Sequence, residues 1–316
     1  MKLATYKDGS RDGQLVVVSR DLCTAHYATG MAHTLRQALD DWNFIAPQLQ
    51  DLYVTLNQGK ARHAFPFEPR RCAAPLPRTG LWAQALAFAE HRERVWPGVP
   101  ADPVPLRLAG GDHLTGPHDD CVLGQDAWEA DVGPMVAVLT DDIPQGANAA
   151  RALDGVRLLT LANAWELRLW EPAEEARGWL RAPNQPAVAF APVAVTPDEL
   201  GDAWRDGLLH LPVRVQVNGA LLGCVDAGRM APDFGAVLAR LCATRPLRNG
   251  SLLGAGPVSG GEGWGCLAER RAVEAAQQGQ PLTPYLGHGD RVAVEVTGRD
   301  GQSVFGAIEQ EVVPLD

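Results

Sequence analysis

Asn218-Gly219 sits between two alternating runs, residues 214–217 and 221–224, and this two-residue turn signal commits the chain to a tight antiparallel hairpin. A second hairpin is expected where Gly298-Arg299-Asp300-Gly301 separates residues 291–296 from 304–309. Apolar runs at 135–139, 156–161 and 188–195, the last interrupted by Pro192, are too short for helices and predict buried strands. Residues 234–244 read as an amphipathic helix. From about Leu76 onward the pattern is therefore mostly strand.

The beginning of the chain reads differently. A short strand at 15–19 precedes an apolar-periodic stretch from Thr34 to Leu56, expected to be helix broken near Ala46-Pro47. A proline-rich run, 66–77, then reads as a linker into the main body. The expected organisation is a small N-terminal α/β domain over 1–75 and a larger β-rich domain over 76–316. A chain of 316 residues is long enough for both.

Charge narrows the function. A net charge of −10 argues against nucleic acid, which needs a concentrated basic face. No uncharged apolar run is long enough to span a bilayer, and the polar first thirteen residues do not resemble a signal peptide. Six scattered cysteines without a C-x-x-C pair predict reduced thiols in a cytoplasmic protein rather than disulfides or a zinc site. The lysines are Lys2, Lys7 and Lys60, with none beyond residue 60.

Several motifs fail on spacing. Gly254-Ala255-Gly256 opens like a dinucleotide loop, but Ser259 stands where the third glycine belongs. Asn249 precedes Gly250-Ser251, so no G-x-S-x-G elbow is formed. His118-Asp119-Asp120 lies among Gly116, Pro117 and Gly124 and reads as a solvated turn rather than a ligand set.

Larger blocks carry a resemblance. Met1-Lys2-Leu3-Ala4-Thr5, Ala74-Pro75-Leu76-Pro77-Arg78 and Val136-Ala137-Val138-Leu139-Thr140-Asp141-Asp142 are similar to blocks of bacterial fumarylacetoacetate hydrolase family proteins. So are the stretch from Phe190 to Gly201, Gly265-Cys266-Leu267-Ala268-Glu269-Arg270, and Ser303-Val304-Phe305-Gly306-Ala307-Ile308-Glu309-Gln310. Their order and spacing hold over nearly the whole chain. The resemblance implies an α+β, β-rich fold with a β-roll main domain, a homodimer, and chemistry on the C–C bonds of diketo or oxo acids. It also implies a Mg²⁺ or Ca²⁺ ion held by four carboxylates, a histidine base oriented by a glutamate, and a lysine and an arginine for the substrate's oxygens.

The chain departs from that pattern at the metal. His91 matches the base and Glu269 its partner, but Gln84 occupies the aspartate position seven residues before the histidine. In the family's D-F-E-A-E strand, Asp131 takes the aspartate, while Gly133 and Met135 replace the glutamates. In the N-D-V-S-L-R motif, Asn163 and Arg168 remain and Ala164 replaces the ligand. Gln185 replaces the lysine of K-P-A-T-A-F, and Pro257 the threonine of G-T-V-S. Glycine and alanine offer no donor, a thioether is a poor partner for a hard cation, and glutamine supplies one neutral oxygen. No divalent cation is expected there.

Glu129, Asp131 and Glu166 could form a displaced metal site if their segments are strands, because even offsets keep the face; the plain alternative is surface or loop carboxylates. His91, Glu269 and Arg168 could still act as an oriented base and an oxyanion binder, or persist as satisfied structural groups. Trp82, Trp96, Trp165, Trp170 and Trp179 read as core or rim packing, and Trp96 would make the pocket more apolar if it enters. Three functions remain open. One is an altered, metal-independent enzyme on oxo-acid-like small molecules using His91 and Glu269, or an inactive relative of it. Another is a non-catalytic binding protein, or a partner subunit of a catalytic paralogue. The third is an ordinary metal-dependent C–C hydrolase.

Overall fold

The structure, a computed structural model, describes residues 1–170, 184–261 and 263–315. Trp179 lies outside the described residues.

A large sheet organises the chain. From one edge it runs Phe65–Pro66, Thr24–Tyr27, Gln14–Val18, Lys2–Tyr6, Ala194–Val195, Val156–Ala164, Pro134–Thr140, Ser251–Gly254, Trp82–Ala85 and Leu106–Ala109. The N-terminal strands continue the main sheet, since Lys2 pairs with Val195 and Leu3 with Ala194. Central strands 134–140 and 156–164 are buried almost throughout, which accounts for their near-continuous apolar sequence.

Side-chain alternation divides the core into two clusters. Met135, Ala137 and Leu139 pack with Leu35, Leu39, Leu49 and Tyr53 of the N-terminal helices. Val136 and Val138 belong to the cluster that contains Val213, Val215, Val292 and Val294 of a second, five-stranded sheet. The period-two strand pattern thus builds three layers: helices, large sheet, small sheet.

The Asn218-Gly219 hairpin forms as expected, with φ of 51° and 77° between strands Pro212–Val217 and Ala220–Asp226. Both central residues of this turn need positive φ, which asparagine and glycine tolerate best. The helix at 234–244 ends earlier, at Leu241, with the Asp233 carboxylate capping its first amides.

Two boundaries differ from expectation. The N-terminal helical stretch breaks at Asp41, between Leu35–Asp40 and Trp42–Asn57, and Pro47 lies inside the second helix. Proline at that point forfeits one bond to the Asn43 carbonyl, a cost that the exposure of Asn43 lowers. The partner of Arg291–Val296 is Ile308–Pro314 rather than 304–309. Gly306, at φ 76°, turns the chain before the strand begins, and a Cβ there would come 2.7 Å from Pro192.

Candidate functional site

Two helices deliver the acid–base pair. Ala89–Val95 carries His91, and Leu267–Gln278 carries Glu269 in its first turn. His91 Nδ1 lies 2.7 Å from Glu269 Oε1, and the two residues are 1% and 0% exposed. Glu269 Oε2 accepts from Gly265 N at 3.3 Å and lies 4.0 Å from Arg94 Nη1. Trp96 meets the imidazole in a T-shaped contact, with centroids 5.1 Å apart. It does enter this site, and the Arg168 guanidinium lies 6.0 Å from its ring. Among the described residues, His91 Nε2 is buried with no hydrogen-bond partner.

Cys266 sits beside the pair, Sγ 3.8 Å from Nδ1. Burial, and then the nearby Asp131 and Glu269 carboxylates, push its thiol well above the ordinary range. His91, Cys266 and Glu269 are close enough to group round an ion. A protonated thiol is no ligand, however, and 2.7 Å is hydrogen-bond length.

Asp131 holds this arrangement in place. It accepts from Leu267 N at 2.8 Å and Ala268 N at 3.0 Å, so it caps the helix that presents Glu269. Arg168 donates to the same carboxylate through Nε at 3.0 Å. Arg168 Nη1 also lies 3.0 Å from Glu166 Oε2. The expectation that Asp131 and Glu166 are surface or loop carboxylates is therefore corrected, because they are 0% and 1% exposed and neutralised by arginines. Glu129 is half-buried at a left-handed φ of 59°, and its carbonyl accepts from Arg168 N. Among the described residues, these three carboxylates do not group as metal ligands.

The positions matched to the family's ligands gather around neighbouring strand ends. Gly133 lies against Ala164 and Pro257: a Cβ at Gly133 would come 2.7 Å from the Ala164 carbonyl oxygen and 3.6 Å from Pro257 Cγ. Met135 is buried, with its sulfur against Gly254, which pairs with Gln84 across a parallel ladder. Gln84 Nε2 donates to Gln185 Oε1 at 3.1 Å, and Gln185 Nε2 returns a bond at 3.3 Å. Gln84 Oε1 also accepts from Arg107 Nε at 2.7 Å. The donor set is one engaged carboxamide and no carboxylate, which does not fit a hard divalent ion.

Arg107 is the residue that the sequence reading missed. It stands opposite Gln84 in the antiparallel pair Trp82–Ala85 with Leu106–Ala109, and its Nη2 bonds Glu166. Its sequence setting, Leu106-Arg107-Leu108, is that of an ordinary half-exposed strand, and it carries no signal of this role.

The family model for the fumarylacetoacetase N-terminal domain 2 matches residues 1–78, and that for the fumarylacetoacetate hydrolase C-terminal domain matches residues 80–313. A search of curated proteins finds no match. Fumarylacetoacetate hydrolase from Exiguobacterium antarcticum superposes with a TM-score of 0.69 at 17% identity, with both chains covered fully. Maleylpyruvate hydrolase from Sphingobium sp. SYK-6, also solved with manganese(II) ion and pyruvate, gives 0.68 at 16% identity with full coverage of both chains. The 2-hydroxyhepta-2,4-diene-1,7-dioate isomerase of Mycobacterium marinum gives 0.63 at 18%, covering 99% of this chain and 98% of its own. At these identities the structural likeness shows a shared fold.

Proposed function

The chain belongs to the fumarylacetoacetate hydrolase family, and from that premise we propose that it acts on oxo-acid-like small molecules through His91 and Glu269, without a divalent cation at the family's metal position. One observation carries this reading: His91 has its Nδ1 held by Glu269, while its buried Nε2 has no hydrogen-bond partner among the described residues. A carboxylate at Nδ1 fixes the tautomer with the proton on that nitrogen, which leaves the Nε2 lone pair free to take a proton. The Glu269 charge then stabilises the imidazolium that forms. Trp96 shields the ring and Asp131 fixes the helix behind Glu269. Two reaction classes follow. In an isomerisation, Nε2 takes a proton from the carbon next to a carbonyl and the enolate is reprotonated elsewhere. In a hydrolysis, Nε2 takes a proton from a water that adds to a carbonyl, so that the C–C bond breaks with the enolate as leaving group. The absence of carboxylates at Gln84, Gly133, Met135 and Ala164 supports the metal-independent part.

A second reading has its own observation. His91 and Glu269 are almost wholly buried, which suits a binding protein or a partner subunit of a catalytic paralogue. Four buried, unpaired cysteines support a reducing, cytoplasmic setting. No helix among the described residues is long and apolar enough to cross a membrane.

The test is a panel of acylpyruvates and oxo acids, assayed on chelator-treated protein with and without added Mg²⁺ or Mn²⁺. Turnover independent of metal is expected, with His91→Ala slowing it by about 10²–10⁴-fold. Turnover only with metal, or His91→Ala at full rate, would overturn the proposal. Binding without turnover across the panel would favour the second reading.

A further inference from the structure

Arg107 is tied to side chains at or near three of the family's site positions. Its Nε donates to Gln84, at the first ligand position; its Nη2 bonds Glu166, two residues beyond Ala164; and Gln84 in turn clasps Gln185, at the lysine position. A guanidinium therefore brings positive charge to a place where the sequence has removed every metal-binding carboxylate and the lysine.

Its remaining donor is unspent. Among the described residues, Arg107 Nη1 is buried with no hydrogen-bond partner, and a buried donor left unmet is unfavourable. Arg107 also lines a cleft of about 180 Å³, together with Gln185, Pro186, Val188, Asp112 and His113. Glu166 is shared between Arg107 and Arg168, and Arg168 has Asp131 as a second counter-ion.

We propose that the Arg107 guanidinium takes over the anion-binding task of the missing cation, and that the cleft beside it receives a small monocarboxylate such as a short 2-oxo acid. A guanidinium matches a carboxylate in charge and planar geometry. The cleft volume is below the range of drug-sized ligand sites, which limits the occupant to a few heavy atoms. Asp112 and His113 are exposed at the mouth, and the Asp112 charge disfavours a second carboxylate on the outward end. Gln185 offers the ligand a neutral amide in place of the family's ammonium. The proposal shares with the function above the absence of a metal, but it does not depend on His91 acting as a base.

The experiment is a titration of the chelator-treated full chain with pyruvate, followed by calorimetry or ligand-observed NMR, with acetamide as the neutral control. Saturable pyruvate binding without added metal is expected, at least tenfold weaker in Arg107→Gln and unchanged in Arg245→Gln, an exposed arginine away from the cleft. Should Arg107→Gln not fold, the Arg107→Gln/Glu166→Gln pair removes both charges together and is expected to lose the same affinity. In the wild-type protein, pyruvate is expected to slow phenylglyoxal modification of Arg107, read by peptide mass. No saturable binding, binding only with Mg²⁺ or Mn²⁺, undiminished affinity in either Arg107 variant, or modification of Arg107 that pyruvate leaves unslowed would overturn it. His91→Ala at full turnover with Arg107-dependent binding would sink the acid–base reading and leave this one standing.

Discussion

Asp131 and Arg168 form a buried ion pair in which Nε and Nη2 lie 3.0 and 2.9 Å from one carboxylate oxygen. The same carboxylate takes the first two amides of the helix that carries Glu269, so one side chain neutralises an arginine and orients the base's partner. Asp131→Ala removes one of the carboxylates that face the buried Arg168 charge and leaves the helix uncapped. A loss of about 3–5 kcal/mol in urea unfolding is expected, as for a buried pair broken from one side. Asp131→Asn, which can still accept one amide, should fall between the two.

What the sequence could say about this site depended on whether the cause was local. The turn at Asn218-Gly219 was legible because its positive φ values are a property of those two residues. His91 and Glu269 were legible as a pair from two motifs 178 residues apart, and the structure brings them within hydrogen-bond distance. The burial of Asp131 and Glu166 was not legible, because it depends on Arg168, from the turn that follows Glu166, and on Arg107, from a distant strand. Pro47 misplaced the helix break for a related reason. Its cost is small where water reaches the freed Asn43 carbonyl, and solvent exposure is not written in the local sequence.

Gly133 tests whether the strands have closed over a lost ligand. A Cβ there would sit 2.7 Å from the Ala164 carbonyl oxygen, too close for any ordinary contact. That carbonyl is backbone and cannot rotate aside like a side chain. Gly133→Ala is expected to destabilise the protein by about 1–3 kcal/mol, as overpacking does, read from chemical denaturation. A neutral result would mean that the ligand-bearing strand still has room for a side chain.

The thiols should divide by exposure. Cys23 and Cys224 are exposed, and Cys72, Cys121, Cys242 and Cys266 are buried. A thiol reagent such as DTNB is expected to titrate two groups in the native protein and the other four only after unfolding. Cys23 should be the slower of the two at neutral pH, because the Asp21 carboxylate beside it pushes its thiol up and reduces the thiolate fraction. Rapid reaction of a third group would show that the region around His91 and Cys266 opens readily.

Lys2 gives the fold a stability term of unusual sign. Its side chain is buried, Nζ donates to the Ser303 carbonyl at 3.3 Å, and burial pushes it down to about 8 despite the opposing pull of Glu199 and Asp300. Below pH 8 the ammonium is charged in both the folded and unfolded chains, and the folded state carries the cost of burying it. Between about 8 and the ordinary lysine value near 10.4, the folded protein has lost this proton while the unfolded chain keeps it. Stability from this group therefore rises with pH across that interval. Cys72, Cys121 and Cys266 act in the opposite direction, since their raised thiols stay protonated in the fold after the unfolded thiols ionise. The lysine contribution is isolated by subtracting the unfolding free energy of Lys2→Met from that of the wild type at each pH. The difference is expected to be flat below pH 8 and to climb from there toward pH 10.4. A difference that falls over this range would mean that Lys2 is stabilised as the ammonium by its acidic neighbours rather than penalised by burial.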